Sequence, residues 1–555
     1  METSRLRRIS LAVVLVASAV LAAEPTLTHL YPVAGGQGAT TTITATGKFD
    51  PWPPQVWVDS PGIVFKPGEK TGNFEVEIAK HAATGPHLVR FFNASGISAP
   101  RFFIVSAQPE LRENEPNDSF KAPQNIGSLP ATLSGRLDKA GDVDSFAVAL
   151  KRGQTLVAWL EAYVLGSAFD GMLRIVDATG TRLAFNHDGH TLDPFLAFEA
   201  PHDDEFILQV MGFVHPASSN VQFTGGEGCV YRLHFDAGPF VRFTMPLAAQ
   251  RGKKTPVELI GWNLVSSSAE VDCTQCVSEG MPLTQAISGF AAPHTTTVSD
   301  LPEIMEKEPN DSYQTAHGLE VPSGVTGRIQ RPGDEDRFTF IAVKGRSYDI
   351  KVTAAAVGSP LDAWLRIEDK EGKELARNDD AGSSDPRLSW TTPSDGTFTL
   401  AVGDLTHRGG PDFVYRLAIF EPAPSVSATV SSHSAIVQPG KSTELKVLIK
   451  PENGFAKKLD IVAKNLPEGV SVSPPAEIPE KGGEITLKLV AETGAKAGGQ
   501  PFQLVLREPG TAREFPVRFS LIGSSEDNGV PQGYTDLVIN STDQLWLTIP
   551  ADAAK

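Results

Sequence analysis

An acidic phrase occurs twice in this chain, and each copy is followed by the same companion. The first is Glu113-Asn114-Glu115-Pro116-Asn117-Asp118-Ser119, then Gly141-Asp142-Val143-Asp144-Ser145-Phe146. The second is Glu306-Lys307-Glu308-Pro309-Asn310-Asp311-Ser312, then Gly333-Asp334-Glu335-Asp336-Arg337-Phe338. The likeness continues downstream. Phe169-Asp170 through Ile175 matches Leu361-Asp362 through Ile367, and Asn186-His187-Asp188 matches Asn378-Asp379-Asp380. Asp193-Pro194 answers Asp385-Pro386, and Val230-Tyr231-Arg232-Leu233 answers Val414-Tyr415-Arg416-Leu417. Self-similarity over such a length marks a folded unit that was copied whole. The two units run over residues 109–238 and 303–422.

Within each unit, runs such as Phe338-Thr339-Phe340 and Tyr348-Asp349-Ile350-Lys351-Val352 alternate apolar with polar residues. That is the period of a half-buried strand, with successive side chains on opposite faces. Turn-forming clusters separate the runs, and 50 Gly and 42 Pro spread among β-branched residues favour strands and turns over helices. No stretch keeps a helical period. The fold class expected is all-β, as tandem β-sandwich or jelly-roll and immunoglobulin-like domains.

A chain of 555 residues exceeds one hydrophobic core and calls for three to five domains. Around the two repeats, residues 24–108, 239–302 and 423–522 are also strand-rich. Residues 523–555 hold one strand pair, Asp536–Ile539 and Gln544–Ile549, read as a domain's completion or a tail. Residues 1–22 read as a secretory signal: Arg5, Arg7 and Arg8 precede an apolar run from Leu11 to Leu21, and Ala22 and Ala23 follow. That run is short for a bilayer span. The mature chain is therefore expected to be exported: secreted, periplasmic or at the cell surface, with no membrane insertion after cleavage.

The net charge of −17 argues against nucleic acid and anionic lipid as partners. Three Cys are too few for a disulfide framework. Cys273 and Cys276 are expected to form a local disulfide across a turn or else to be two idle thiols, and Cys229 to be a small buried hydrophobe.

The Glu-x-Glu-Pro-Asn-Asp-Ser opening, the Gly-Asp-x-Asp-x-Phe follow-up and the Asn378-Asp379-Asp380 loop before Asp385 resemble the bacterial pre-peptidase C-terminal domain. The resemblance covers both repeats, about half the chain, and departs at His187, where the second copy has Asp379. It implies a calcium-associated β-sandwich of the kind appended to exported proteases and related to collagen-binding modules. Residues 24–108 resemble an IPT/TIG immunoglobulin-like domain through Pro32, Gly35, Gly36, Gly38 and the strand ending in Gly47, and 239–302 a shortened relative. Residues 423–522 resemble bacterial immunoglobulin-like modules through Asn453-Gly454-Phe455 and Leu466-Pro467-Glu468-Gly469-Val470.

The acidic phrase carries its own chemistry. In an extended segment, Glu113, Glu115 and Asn117 share a face, as do Glu306, Glu308 and Asn310, and Pro116 and Pro309 are expected to keep the segment extended. Asp118 and Asp311 fall where the chain should turn. Gly141 and Gly333 permit a bend that brings Asp142 and Asp144, or Asp334 and Asp336, to the same place. Such a convergence of carboxylates with one amide needs a counter-charge, and Ca2+ takes about 6–8 oxygen ligands with loose geometry. The alternative is a solvated acidic linker with side-chain-to-backbone turns. For Asn186, Asp188 and Asn378–Asp380, three readings stand: hairpin turn, second cation site, ligand contact. Asp170 and Asp362 read as turn residues, and Tyr231-Arg232 and Tyr415-Arg416 as strand residues near a sheet surface.

No His-Glu-x-x-His, Gly-x-Ser-x-Gly or phosphate-binding glycine loop is present. The expectation is a non-catalytic, calcium-stabilised array that binds an extracellular polysaccharide or matrix protein, or envelope proteins. The alternatives are a purely architectural envelope protein, and an accessory module of a secreted hydrolase or a cryptic hydrolase itself.

Overall fold

The computed structural model describes residues 23–189, 192–219, 221–276, 282–285, 294–380, 384–473, 478–522 and 537–551. The signal-like segment 1–22 lies outside them. The described chain is all-β: apart from the single 3-10 turns Tyr163–Leu165 and Ala355–Val357, every element is a strand.

Each repeat is a sandwich of two five-stranded sheets. In the first, one sheet runs in the order Leu111–Arg112, Ala131–Arg136, Val230–Asp236, Thr155–Glu161, Phe195–Glu199. Its partner runs Gln124–Asn125, Asp144–Leu150, Asp204–Val214, Phe169–Val176, Arg182–Asn186. The second repeat follows the same order strand for strand, from Glu303–Met305 to Arg387–Thr391 and from His317–Leu319 to Glu374–Asn378. Even the register is kept, with Gly135 opposite Tyr231 and Gly327 opposite Tyr415. Alternation drives this packing: in Glu335–Ala342, Asp336, Phe338, Phe340 and Ala342 point inward and Ile341 outward.

The repeated Asp-Pro pair has a structural task. Asp193 is buried and accepts hydrogen bonds from the backbone N–H groups of Ala162, Tyr163 and Val164, the start of a 3-10 turn. Asp385 does the same for Ala354, Ala355 and Ala356. These donors have no partner within the turn, so the carboxylate replaces the water they lose on burial.

Residues 26–106 form two facing sheets around Phe65, Phe74, Phe91 and Phe103. Ala34–Gly36 pairs in parallel with Arg101–Ser106. The smaller unit ahead of the second repeat has the same device, Ala248–Gln250 parallel to His294–Ser299. Its core includes Cys273, which is a free thiol, as is Cys276; the expected disulfide is not formed. Cys229 is buried.

The last unit is a sheet in which strands between Ser425 and Ser520 are joined by the chain's end. Of the expected terminal pair, Leu545–Ile549 is a strand, inserted between Ser434–Ile436 and Gly498–Arg507, whereas 537–540 is not. The segment completes that sheet because Leu545, Leu547 and Ile549 complete its apolar face. Trp546 points the other way, 6.1 Å from Trp57 and 4.7 Å from Phe92 of the first unit. Arg90 donates to the Gln544 carbonyl at 2.7 Å across the same contact, so the first and last described units meet.

Candidate metal centre

The acidic phrase begins just after the first edge strand of each repeat, and the chain bends at Glu115 and Glu308 instead of staying extended. The bend sends alternate side chains to unequal places. Glu113 and Asn117 are buried, while Glu115 is exposed and turns back to accept from the Asn117 backbone N–H at 2.9 Å. Glu308 and Asn310 repeat that bond at 2.8 Å.

The second strand of the site enters as expected. Gly141 has φ +84° and Gly333 φ +79°, a left-handed conformation that favours glycine. The bend after them delivers Asp142 and Asp144, and Asp334 and Asp336, all of them buried. Asp142 Oδ2 accepts from the Asp138 N–H, and Asp334 Oδ2 from the Gln330 N–H at 2.7 Å. Asp142 Oδ1 is shielded from solvent with no hydrogen bond, and Lys139 Nζ stands 3.7 Å from it.

Carboxylate oxygens of Glu113, Glu115 and Asp144 lie within 4.8 Å of one another, as do those of Glu115, Asp118 and Asp142. In the second repeat Glu308, Asp334 and Asp336 are grouped, the positions equivalent to Glu115, Asp142 and Asp144. Glu306 lies 3.5 Å from the Asn310 amide. Asp118 lies at the rim, where Lys139 Nζ approaches it at 2.6 Å; Asp311 is paired with Arg331.

Tyr231 and Tyr415 are central members that the sequence reading placed near a sheet surface. Both are wholly buried. Tyr231 donates toward Glu113 Oε1 at 3.0 Å and Asp144 Oδ2 at 2.5 Å; Tyr415 stands 3.3 Å from Glu306 and 2.6 Å from Asp336. Room for the ring comes from the glycine opposite. A Cβ on Gly135 would lie 2.2 Å from Tyr231 Cζ, and one on Gly327 2.4 Å from Tyr415 Cζ. The repeated Gly-Arg ending the facing strand (Gly135-Arg136, Gly327-Arg328) was the signal available in the sequence.

The next residue of the same strand faces the other way. Arg232 bonds Glu110, Glu161 and the Ser106 hydroxyl; Arg416 bonds Glu303 and the Ser299 hydroxyl. Ser106 and Ser299 end the last strands of the preceding units. One Tyr-Arg step therefore ties each acidic centre to the joint beside it.

The electrostatics follow from burial. Desolvation first, and the adjacent Glu113 or Glu306 second, push the Asp144 and Asp336 carboxyls far above the carboxylate range. Desolvation also raises Glu115 and Glu308. The Asn117 amide stands beside the same carboxylates: with its nitrogen turned toward them it donates to Asp144 Oδ1 at 3.3 Å and Glu115 Oε2 at 3.2 Å, and Asn310 does the same to Asp336 and Glu308 at 3.0 and 3.1 Å.

The other repeated loop divides. Asn186 Oδ1 accepts from Phe195 N–H and Asn378 Oδ1 from Arg387 N–H, so both asparagines are hairpin clamps. Asp170, His187 and Asp188 come together; among the described residues, no such group forms at Asp362, Asp379 and Asp380.

Fold and centre together define a class: a tandem array of β-sandwiches with two buried acidic centres, each at the joint with the unit before it. No family model matches the chain. Over 106 residues it is 34% identical to a probable subtilase-type serine protease of Deinococcus radiodurans, a match covering 19% of this chain and 15% of that protein. The chain thus spans a small part of that curated relative. A solved pre-peptidase C-terminal domain of a Bacillus anthracis collagenase aligns with 20% of the chain and 99% of the domain, at 15% identity and TM-score 0.17. The four N-terminal Ig domains of a Dscam1 isoform align with 90% of the chain and 99% of that structure, at 10% identity and TM-score 0.18. Similarity at these levels says nothing of function.

Proposed function

We propose that this chain is an exported, non-catalytic array whose acidic centres bind Ca2+, and which uses the stiffened array to bind an extracellular polysaccharide or matrix protein. The observation that carries the reading is the pair of oxygen-rich centres at matching places in the two repeats, each with two buried aspartates beside glutamate carboxylates. The donors fit calcium: oxygen only, numerous and loosely spaced, where zinc would want nitrogen or sulfur and magnesium a tight octahedron. The ion would be held by Glu113, Glu115, Asn117, Asp142 and Asp144 with Asp118 at the rim, and by Glu306, Glu308, Asn310, Asp334 and Asp336 with Asp311 at the rim. It would supply the positive charge that burial has removed. Because Tyr231 and Tyr415 touch the centre and their neighbours Arg232 and Arg416 the joint, filling the centre would also fix the angle between units. The partial match to a probable subtilase-type serine protease favours a second reading, an accessory portion of a larger hydrolase.

The test is thermal unfolding of the full chain with calcium, magnesium and chelator, followed by pull-down on insoluble polysaccharides and collagen. A calcium-selective rise with calcium-dependent retention is the expected result. Identical melting curves would refute the metal, and retention on neither polymer would refute the binding role.

A further inference from the structure

We propose that Asp170, His187 and Asp188 form a separate site for a borderline transition metal such as Zn2+, present in the first repeat and absent from the second. Asp170 lies in Phe169–Val176, and His187 and Asp188 follow directly on Arg182–Asn186, the strand that pairs with it. The hairpin thus closes on itself, with Asn186 fixing its exit by accepting from Phe195 N–H at 2.9 Å. One nitrogen of His187 and one oxygen from each aspartate lie within 4.8 Å of one another. Asp170 Oδ2 is 3.2 Å from His187 Nε2, and Asp188 Oδ2 is 3.9 Å from His187 Nδ1. With zinc bonds of about 2.0–2.1 Å, the edge of a coordination tetrahedron is about 3.3 Å. The Asp170–His187 separation fits such an edge.

Two further observations point to a missing cation. Asp170 Oδ1 is shielded from solvent with no hydrogen bond, and His187 Nε2, also shielded, has only the 3.2 Å ion-pair contact with Asp170 Oδ2. The second repeat shows how the same place is neutralised otherwise. There Arg408 bonds both oxygens of Asp404 and bears on Asp362. In the first repeat Gly212 holds the register of Asp404, and the basic side chains beside Asp170 are imidazoles, His187 and His215. An arginine stands near the aspartate in one repeat; an imidazole with a second carboxylate does so in the other. Mixed nitrogen and oxygen ligands select zinc, cobalt or nickel over calcium, and three protein ligands leave one position for water or an incoming donor.

The experiment uses the full chain carrying Cys273→Ser and Cys276→Ser, so that thiols cannot hold the metal, in saturating calcium. It is titrated with Zn2+ by calorimetry and with Co2+ by visible absorption. The expected result is one equivalent of zinc, and a cobalt spectrum of a nitrogen–oxygen site that zinc abolishes. His187→Ala and Asp170→Asn should each weaken zinc by at least about tenfold, leaving the calcium response of the acidic centres intact. His187→Asp, which copies the second repeat, should shift preference away from zinc. No bound zinc, or zinc unaffected by His187→Ala, overturns the proposal. Because zinc and calcium are read separately, failure here leaves the calcium reading standing, and the reverse also holds.

Discussion

The two repeats agree at the acidic centre and part at the hairpin, and the contrast separates residues that fold the unit from those free to change. At the centre, the carboxylates, the asparagine, the tyrosine and the glycine opposite it are identical in kind and register. Each depends on another: the ring needs the glycine, the buried carboxylates need the hydroxyl, and the amide needs the charge around it. At the hairpin Asn186, Asp188 and Asp170 recur as Asn378, Asp380 and Asp362. The change lies beside them: His187 pairs with Asp170 in one copy, while the other has Asp379 at that position and an Asp404–Arg408 pair nearby. Interlocked buried polar groups change together or not at all; a half-exposed loop can be re-equipped.

The largest expected effect is at the tyrosines. Tyr231→Ala or Tyr415→Ala removes a wholly buried ring and should cost about 3–5 kcal/mol, read by denaturant unfolding. Equal losses support equivalent centres, and a loss confined to one repeat would break the comparison. Calcium comes next: at about 100 times its dissociation constant it should add about 2.7 kcal/mol per centre, a rise of several degrees in melting. Glu113→Gln with Asp144→Asn should abolish the first repeat's share and leave the second's.

The pH dependence sharpens the same point. Asp144 and Asp336 have folded-state pKa values raised above the unfolded value of 3.8. The folded chain therefore holds protons that the unfolded chain has released, and calcium-free stability is greatest below pH 3.8 with respect to these groups. It should fall as pH rises through the window above that value. Calcium competes for the same oxygens, so its stabilisation should grow with pH. Melting followed from pH 5 to pH 8 with and without chelator checks both slopes, and parallel slopes would contradict the assignment. The smallest effect belongs to the rim. Lys139→Ala removes an exposed pair with Asp118 and a 3.7 Å approach to buried Asp142, and its melting temperature should fall by less than any change above.

Much of this was legible in the sequence because period and repetition are local facts. Alternation announced strands, the duplicated phrase announced two equivalent units, and Gly141 and Gly333 announced the bend that sets the aspartates in place. Glu113, Glu115 and Asn117 do come together, but through a bend at Glu115 and not along the extended face expected, since a two-residue period holds only while a strand continues. Tyr231 and Tyr415 went unrecognised because a tyrosine on a strand looks the same whether its hydroxyl meets solvent or two buried carboxylates. The partner residues are more than 70 positions away.

What the sequence determined by itself was the all-β class, the copied unit and the inventory of oxygen donors, since each is written in composition and spacing. The tertiary structure alone decided which donors are buried together, which face of the Tyr-Arg step meets the centre and which the joint, and that Trp546 returns to the first unit. Those outcomes depend on register between distant strands and on the water that folding removes, and neither is a property of any segment taken alone.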